Sequence, residues 1–165
     1  MCLNPDHPVY ATVVDAFGSS ILLENSEINR PALAREIYFD ATKRKILNGL
    51  MHPTIFRQVC QWMEEQSNKG LSVVVLVPLL FEAGWTEGWD ATVCVSSPLP
   101  QIMERLKKRG LDPQLATASV HAQWPLEKKE QRADFTIQND TSLSNLHIQT
   151  ERVLETIRKE NTLHD

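Results

Sequence analysis

The feature that most constrains the fold is an unbroken apolar run, Val73-Val74-Val75-Leu76-Val77, rich in β-branched residues. A strand with one wet face alternates polar and apolar residues. A run without alternation predicts a strand covered on both faces, as in a parallel sheet under helices. Ala91-Thr92-Val93-Cys94-Val95 repeats the texture, and Phe135-Thr136-Ile137 predicts a third, shorter strand. Around them the spacing is helical. Val9, Val13, Ala16 and Phe17 share a face closed by Gly18, and Pro31 starts a helix carrying Leu33, Ile37 and Tyr38. Residues 19–27 read mostly as loop. Ile46, Leu47 and Leu50 form a pattern that meets His52-Pro53, and Ile55, Val59 and Met63 form another that ends before Gly70. Ser96-Ser97-Pro98 opens a helix with Leu99, Ile102, Met103 and Leu106 inward, and Asp112-Pro113 opens the next. Asn139-Asp140 leads into a helix bearing Leu143, Leu146, Val153, Leu154 and Ile157. Strands alternating with helices predict an α/β fold with a doubly wound parallel sheet. Ligands in such sheets sit beyond the carboxyl ends of the strands. Chemistry is therefore expected just after Val77, Val95 and Ile137.

The 165 residues suit one domain over 1–165. Seventeen basic against 21 acidic side chains (17 − 21 = −4) give no overall pull toward nucleic acid or anionic lipid. The longest apolar run, Val73 to Phe81, is nine residues and contains Pro78; a bilayer span needs ~20. Residues 1–8 carry neither the basic stretch nor the apolar core of a secretory leader. Cys2, Cys60 and Cys94 are odd in number and widely spaced, which fits free thiols in a reducing compartment. A soluble, cytoplasmic protein is expected, with neither nucleic acid nor membrane as partner.

Several chemistries are excluded by pattern. None of the six glycines is followed by lysine, so the phosphate-cradling G-x-x-x-x-G-K-[ST] is not in this sequence; G-x-G-x-x-G and G-x-S-x-G are missing too. No C-x-x-C or H-x-x-x-H suggests a metal cluster. No catalytic residue and no metal ligand are assigned. At the exit of the first expected strand, Pro78 stops further pairing, and Glu82 lies where a ligand would sit, unless it is a solvated carboxylate. His52, before a proline, either caps a broken helix or contacts substrate. Arg105, Lys107, Lys108 and Arg109 end a helix, where cations favour the dipole without any ligand. Lys129 and Arg132 read equally as a charged helix face, and Asn139 equally as a helix N-cap. Trp85, Trp89 and Trp124 read as packing rather than a stacking platform.

Taken in order and spacing, the chain resembles the dephospho-CoA kinases. The segment P-L-L-F-E-A-G at Pro78 to Gly84 is very similar to the strand-exit motif of that family. The resemblance runs through Phe17-Gly18, Ile28-Asn29-Arg30, Leu33, Leu47 and His52-Pro53. It continues through Glu104-Arg105-Leu106, Arg109, Ala122-Gln123, Pro125, Lys129, Ala133-Asp134 and Asn139. It implies a P-loop kinase moving the ATP γ-phosphate to the ribose 3′-hydroxyl of dephospho-CoA, the last step of coenzyme A synthesis, with Mg²⁺ on the phosphates. It implies a helical substrate region over 29–70 and a lid over 105–132. His52, Pro78, Phe81 and Glu82 would then serve the substrate, and Arg109, Lys129 and Asn139 the nucleotide and lid. Val77 stands where many members have aspartate, and Ser119 where their lid helix carries arginine. Members open with a strand, the P-loop and an aspartate-bearing segment that this sequence lacks. The expectation is therefore an N-terminally truncated kinase, inactive alone, that binds neither ATP nor Mg²⁺ tightly. In the family's sheet the missing strand lies between those matching Val73–Val77 and Ala91–Val95, so unpaired edges should favour self-association. The alternative is a non-catalytic module that binds CoA or regulates a partner.

Overall fold

The computed structural model describes residues 3–161, and the chain divides into two compact units, Met1–Pro78 and Leu79–Asp165. Cys2, one of the expected free thiols, lies outside the described residues.

The first unit is helical. α1 (Pro8–Phe17) begins at His7, whose Nδ1 accepts from the Val9 amide, and ends at Gly18, in a left-handed conformation (φ +78°). A short 3-10 turn over Ser19–Ile21 and a lone bridge between Leu22 and Ile28 follow. α2 (Arg30–Phe39) starts with Pro31 in its first turn and Asn29 capping the Ala32 amide. Asp40 then caps α3 (Ala41–Ser67) through the Thr42 and Lys43 amides. α1 and α2 both pack on α3. Their facing stripes, with Ile21 and Ile28 from the connection, enclose Val9, Val13, Ile21, Ile28, Leu33 and Leu47 in one apolar cluster.

Two expectations are corrected here. The helices expected on either side of His52-Pro53 are one helix, with Pro53 inside it. Pro53 has no N–H for the Gly49 carbonyl, but both residues are exposed, so that carbonyl is free to bond water and the helix continues. His52 consequently stands at no helix end. It is half-buried in mid-helix, and burial pushes its imidazole below the usual range. The second correction is at Val73–Val77, which forms no strand. Val74 and Leu76 are 74% and 90% exposed while Val73, Val75 and Val77 are half-buried. A β-branched run supplies only one side of a ladder. Among the described residues no strand pairs with it, so the segment is extended with one bare face.

The second unit is α/β. β1 (Val93–Ser96) and β2 (Phe135–Gln138) pair in parallel, with Val93 opposite Phe135 and Ser96 opposite Gln138. Between them run α4 (Leu99–Lys108), α5 (Pro113–His121) and α6 (Leu126–Glu130); α7 (Leu143–Asn161) follows and packs on β2. β1 is covered on one face only. Cys94 and Ser96 are buried while Val93 and Val95 are exposed, which corrects the expectation of two covered faces. Burial pushes the Cys94 thiol up, with the Glu130 charge adding to it. The inward stripes of α4 and α7 are half-buried at best, and Leu99 and Leu143 are exposed. At the start of the strands Asp134 accepts from the Thr92 amide and hydroxyl, both at 2.7 Å, which holds its carboxyl below the usual range.

Candidate functional site

Two clusters in the second unit collect most of the residues singled out from the sequence. One lies at the carboxyl ends of the parallel strands, where ligands sit in α/β sheets. The Asn139 amide donates to the Ser96 carbonyl at 2.7 Å, extending the ladder past β2. Its own carbonyl accepts from the Ser97 hydroxyl at 2.6 Å and from Arg105 Nη2 at 2.9 Å. Arg105 comes from the middle of α4. Its Nη1 reaches Ser97 Oγ at 2.8 Å, and its Nη2 also reaches Asn139 Oδ1 at 3.3 Å and Gln101 Oε1 at 3.2 Å. The guanidinium thus closes the ends of both strands with a planar fork. Asn139 is not the cap of α7. That helix begins four residues later, and the Ser142 hydroxyl accepts from the Asn145 amide at 3.2 Å. Of the readings open for Asn139, the helix-cap one is removed.

The other cluster forms around Glu82. Pro78 to Gly84 is a single helical turn. The Trp85 amide bonds the Leu80 carbonyl (3.0 Å) and the Gly84 amide bonds that of Phe81 (3.2 Å). This Schellman-type closure needs a left-handed residue, which Gly84 provides at φ +71°. The turn carries Glu82 inward, so it is not the solvated carboxylate of the blander reading. Glu82 Oε1 accepts from the Trp124 amide at 2.8 Å and from Lys129 Nζ at 2.7 Å, and the two ionic side chains are only 11% and 13% exposed. Lys129 also donates to Gln123 Oε1 at 2.9 Å. Glu82 Oε2 is buried without a partner among the described residues. Phe81 stacks on Trp124 with centroids 6.5 Å apart, and Lys128 Nζ lies 3.5 Å from the centre of the Trp124 ring. With Lys128 and Phe81 against it, Trp124 is packed, as expected. Phe81, Glu82 and Lys129 are therefore brought together, although the sequence reading put the first two on the substrate side and the third on the nucleotide side.

The remaining candidates stand apart. Arg109 is exposed at the end of α4, where its amide closes the helix and Gly110 follows in left-handed geometry (φ +80°). Pro78 opens the Glu82 turn, and His52 is in α3 of the first unit. Ser119 is buried and its hydroxyl donates to the Ala116 carbonyl at 2.7 Å. Arg105 and Ser97 were missed as site residues. Four cations share that helix end, and only folding shows that one turns back onto the strands. Among the described residues no group of three or more His, Cys, Asp or Glu side chains could hold a metal ion.

Comparison with known proteins gives this geometry a context. The family model described as dephospho-CoA kinase matches residues 1–145. A dephospho-CoA kinase from Carboxydothermus hydrogenoformans is 34% identical over 155 residues, covering 93% of this chain and 75% of that protein. One from Bacillus cereus is 33% identical, covering 90% and 75%. Among solved structures, a crystal structure of a Thermus thermophilus protein matches with a TM-score of 0.65 at 31% identity, over 92% of this chain and 75% of that one. The dephospho-CoA kinase of Campylobacter jejuni matches in fold with a TM-score of 0.56 at 23% identity, over 91% and 76%.

Proposed function

The chain belongs to the dephospho-CoA kinase family, and from that premise we propose that it serves ATP-dependent phosphorylation of the ribose 3′-hydroxyl of dephospho-CoA. In that transfer the bond from the γ-phosphorus to its bridging oxygen breaks. A new bond forms to the 3′ oxygen, the hydroxyl proton leaves, and ADP and coenzyme A result. The 29–70 helices with His52, and the turn with Pro78, Phe81 and Glu82, serve the acceptor. The 105–132 stretch acts as the lid, with Arg109 and Lys129 toward phosphates, and Asn139 lies by the nucleotide base. The observation that supports this reading most is the Asn139–Arg105 pair at the carboxyl ends of two parallel strands.

These 165 residues contain no G-x-x-x-x-G-K-[ST], and the rate of phosphoryl transfer comes mainly from oriented donors and charge on the phosphates. Alone they are expected to transfer phosphate at background rate and to bind ATP and magnesium weakly. A radiolabelled phosphate-transfer assay checks this; turnover like that of a complete relative overturns it. The same missing motif supports a second reading, a non-catalytic module that keeps the acceptor surface and regulates a partner. Such a module binds dephospho-CoA while conferring no kinase activity on any mixture. The reading carries a cytoplasmic location, and no described helix is long and apolar enough to cross a membrane. Exposed Val93 and Val95 on β1, and exposed Val74 and Leu76, support self-association. Sedimentation velocity should show mass rising with concentration, and a monomer at all concentrations refutes it.

A further inference from the structure

We propose that Arg105 is a positioning residue that fixes which end of the Asn139 side-chain amide faces a bound purine; this rests on the reading that Asn139 lies by the nucleotide base. An asparagine amide has an accepting and a donating end, and the two are nearly the same size. Left alone it offers either one to a ligand. In this chain the accepting end already has a donor against it. Arg105 Nη2 lies 3.3 Å from Asn139 Oδ1 and 2.9 Å from the carbonyl of the same residue, while Nη1 holds Ser97 Oγ at 2.8 Å. Guanidinium has donors only, so a flipped amide would set Nδ2 against another donor and is disfavoured. The backbone is held as well, by the Asn139 amide on Ser96 and by the Ser97 hydroxyl on the Asn139 carbonyl. The amide therefore presents its two Nδ2 donors beyond the strand ends, and the group they suit is a ring-nitrogen acceptor, of the kind adenine carries. The other cations of that helix end play no such part. Lys108 pairs with Glu104 on the surface, and Arg109 is exposed past the end of α4.

The test is a double-mutant cycle on the full 165-residue chain, with free adenosine as probe, read by NMR titration of the backbone and Asn side-chain amides. Bare nucleoside avoids dependence on phosphate-gripping groups. Arg105→Met keeps the aliphatic stem and removes the fork, and Arg105→Lys keeps the charge without the fork; spectra of β1 and β2 check that each variant is folded. Arg105→Met is expected to weaken adenosine binding about fivefold, the effect of one lost hydrogen bond. In an Asn139→Ala background, which itself binds more weakly, the same change should have no further effect. If Arg105→Met weakens binding equally in both backgrounds, its role is structural and the proposal fails. If Asn139→Ala weakens binding but neither Arg105 variant does, the base contact stands and the positioning role fails. If Asn139→Ala leaves adenosine binding unchanged, or adenosine does not bind, the underlying nucleotide reading fails and takes the proposal with it. A parallel titration with dephospho-CoA separates donor from acceptor. Its affinity should be unchanged by Arg105→Met, and an equal loss would show that the base being read is the acceptor's.

Discussion

The two units of this chain are held together by different physics. In the first, Val9, Val13, Ile21, Ile28, Leu33 and Leu47 are buried together, and among the described residues the buried set is wholly apolar. In the second, Cys94, Ala116 and Ile137 are buried alongside Ser96, Ser97 and Ser119, and the long-range links are hydrogen bonds and one nearly buried ion pair. An apolar core is insensitive to direction, so it gives stability without dictating where a donor points. A polar network is directional and fragile, because each partner removed strands another. The candidate site lies in the unit built the second way.

The largest expected effect breaks the first unit. Ile21 is fully buried between α1 and α2. Ile21→Ala should cost about 3 kcal/mol through lost burial and the cavity left behind, read by urea unfolding with hydrogen exchange localising the loss to α1–α3. Loss below about 1 kcal/mol would mean that the cluster is not the core described. Next comes the ion pair of the second unit. Glu82→Gln removes the carboxylate charge from its pair with Lys129, whose side chain is only 13% exposed, and about 2 kcal/mol of local protection should vanish at the Trp124 amide and through α6. The first unit's amides should be unaffected.

Smaller effects come from pH and have the same sign but separate windows. Burial depresses the His52 pKa below 6.5 in the folded state. Its contribution is complete above the unfolded value and lost as pH falls through the folded one. Stability of the first unit should therefore decline as pH falls below 6.5, and His52→Gln should flatten that slope. Asp134 is held below its ordinary 3.8 by the Thr92 hydroxyl and amide. Its contribution is present above that value and lost only in stronger acid. Protection at the start of β1 should persist where the first unit has already weakened. Identical pH profiles for the two units would erase the distinction drawn between them.

Much of the architecture was legible in local pattern, because caps and helical spacing are local properties. Asp112 and Pro31 stand where helices begin, and Val9 and Val13 mark the buried face of α1. The failures are non-local. Val73–Val77 has the composition of a buried strand, but composition cannot supply the neighbour that a ladder needs. Pro53 has the chemistry of a helix breaker, but its carbonyl partner is at an exposed position and the break does not occur. In the site, the motif around Glu82 reads from sequence as the exit of a strand and is a turn in the structure, and its tie to Lys129 and Trp124 spans more than forty residues. Arg105 was one of four clustered cations, with nothing local to mark it.

Titration of the 165-residue chain with dephospho-CoA and, separately, with magnesium ATP in a calorimeter bears most directly on the account. Saturable heat with dephospho-CoA and no tight binding of magnesium ATP is the predicted pair of results. Tight magnesium ATP binding without any response to dephospho-CoA would contradict it.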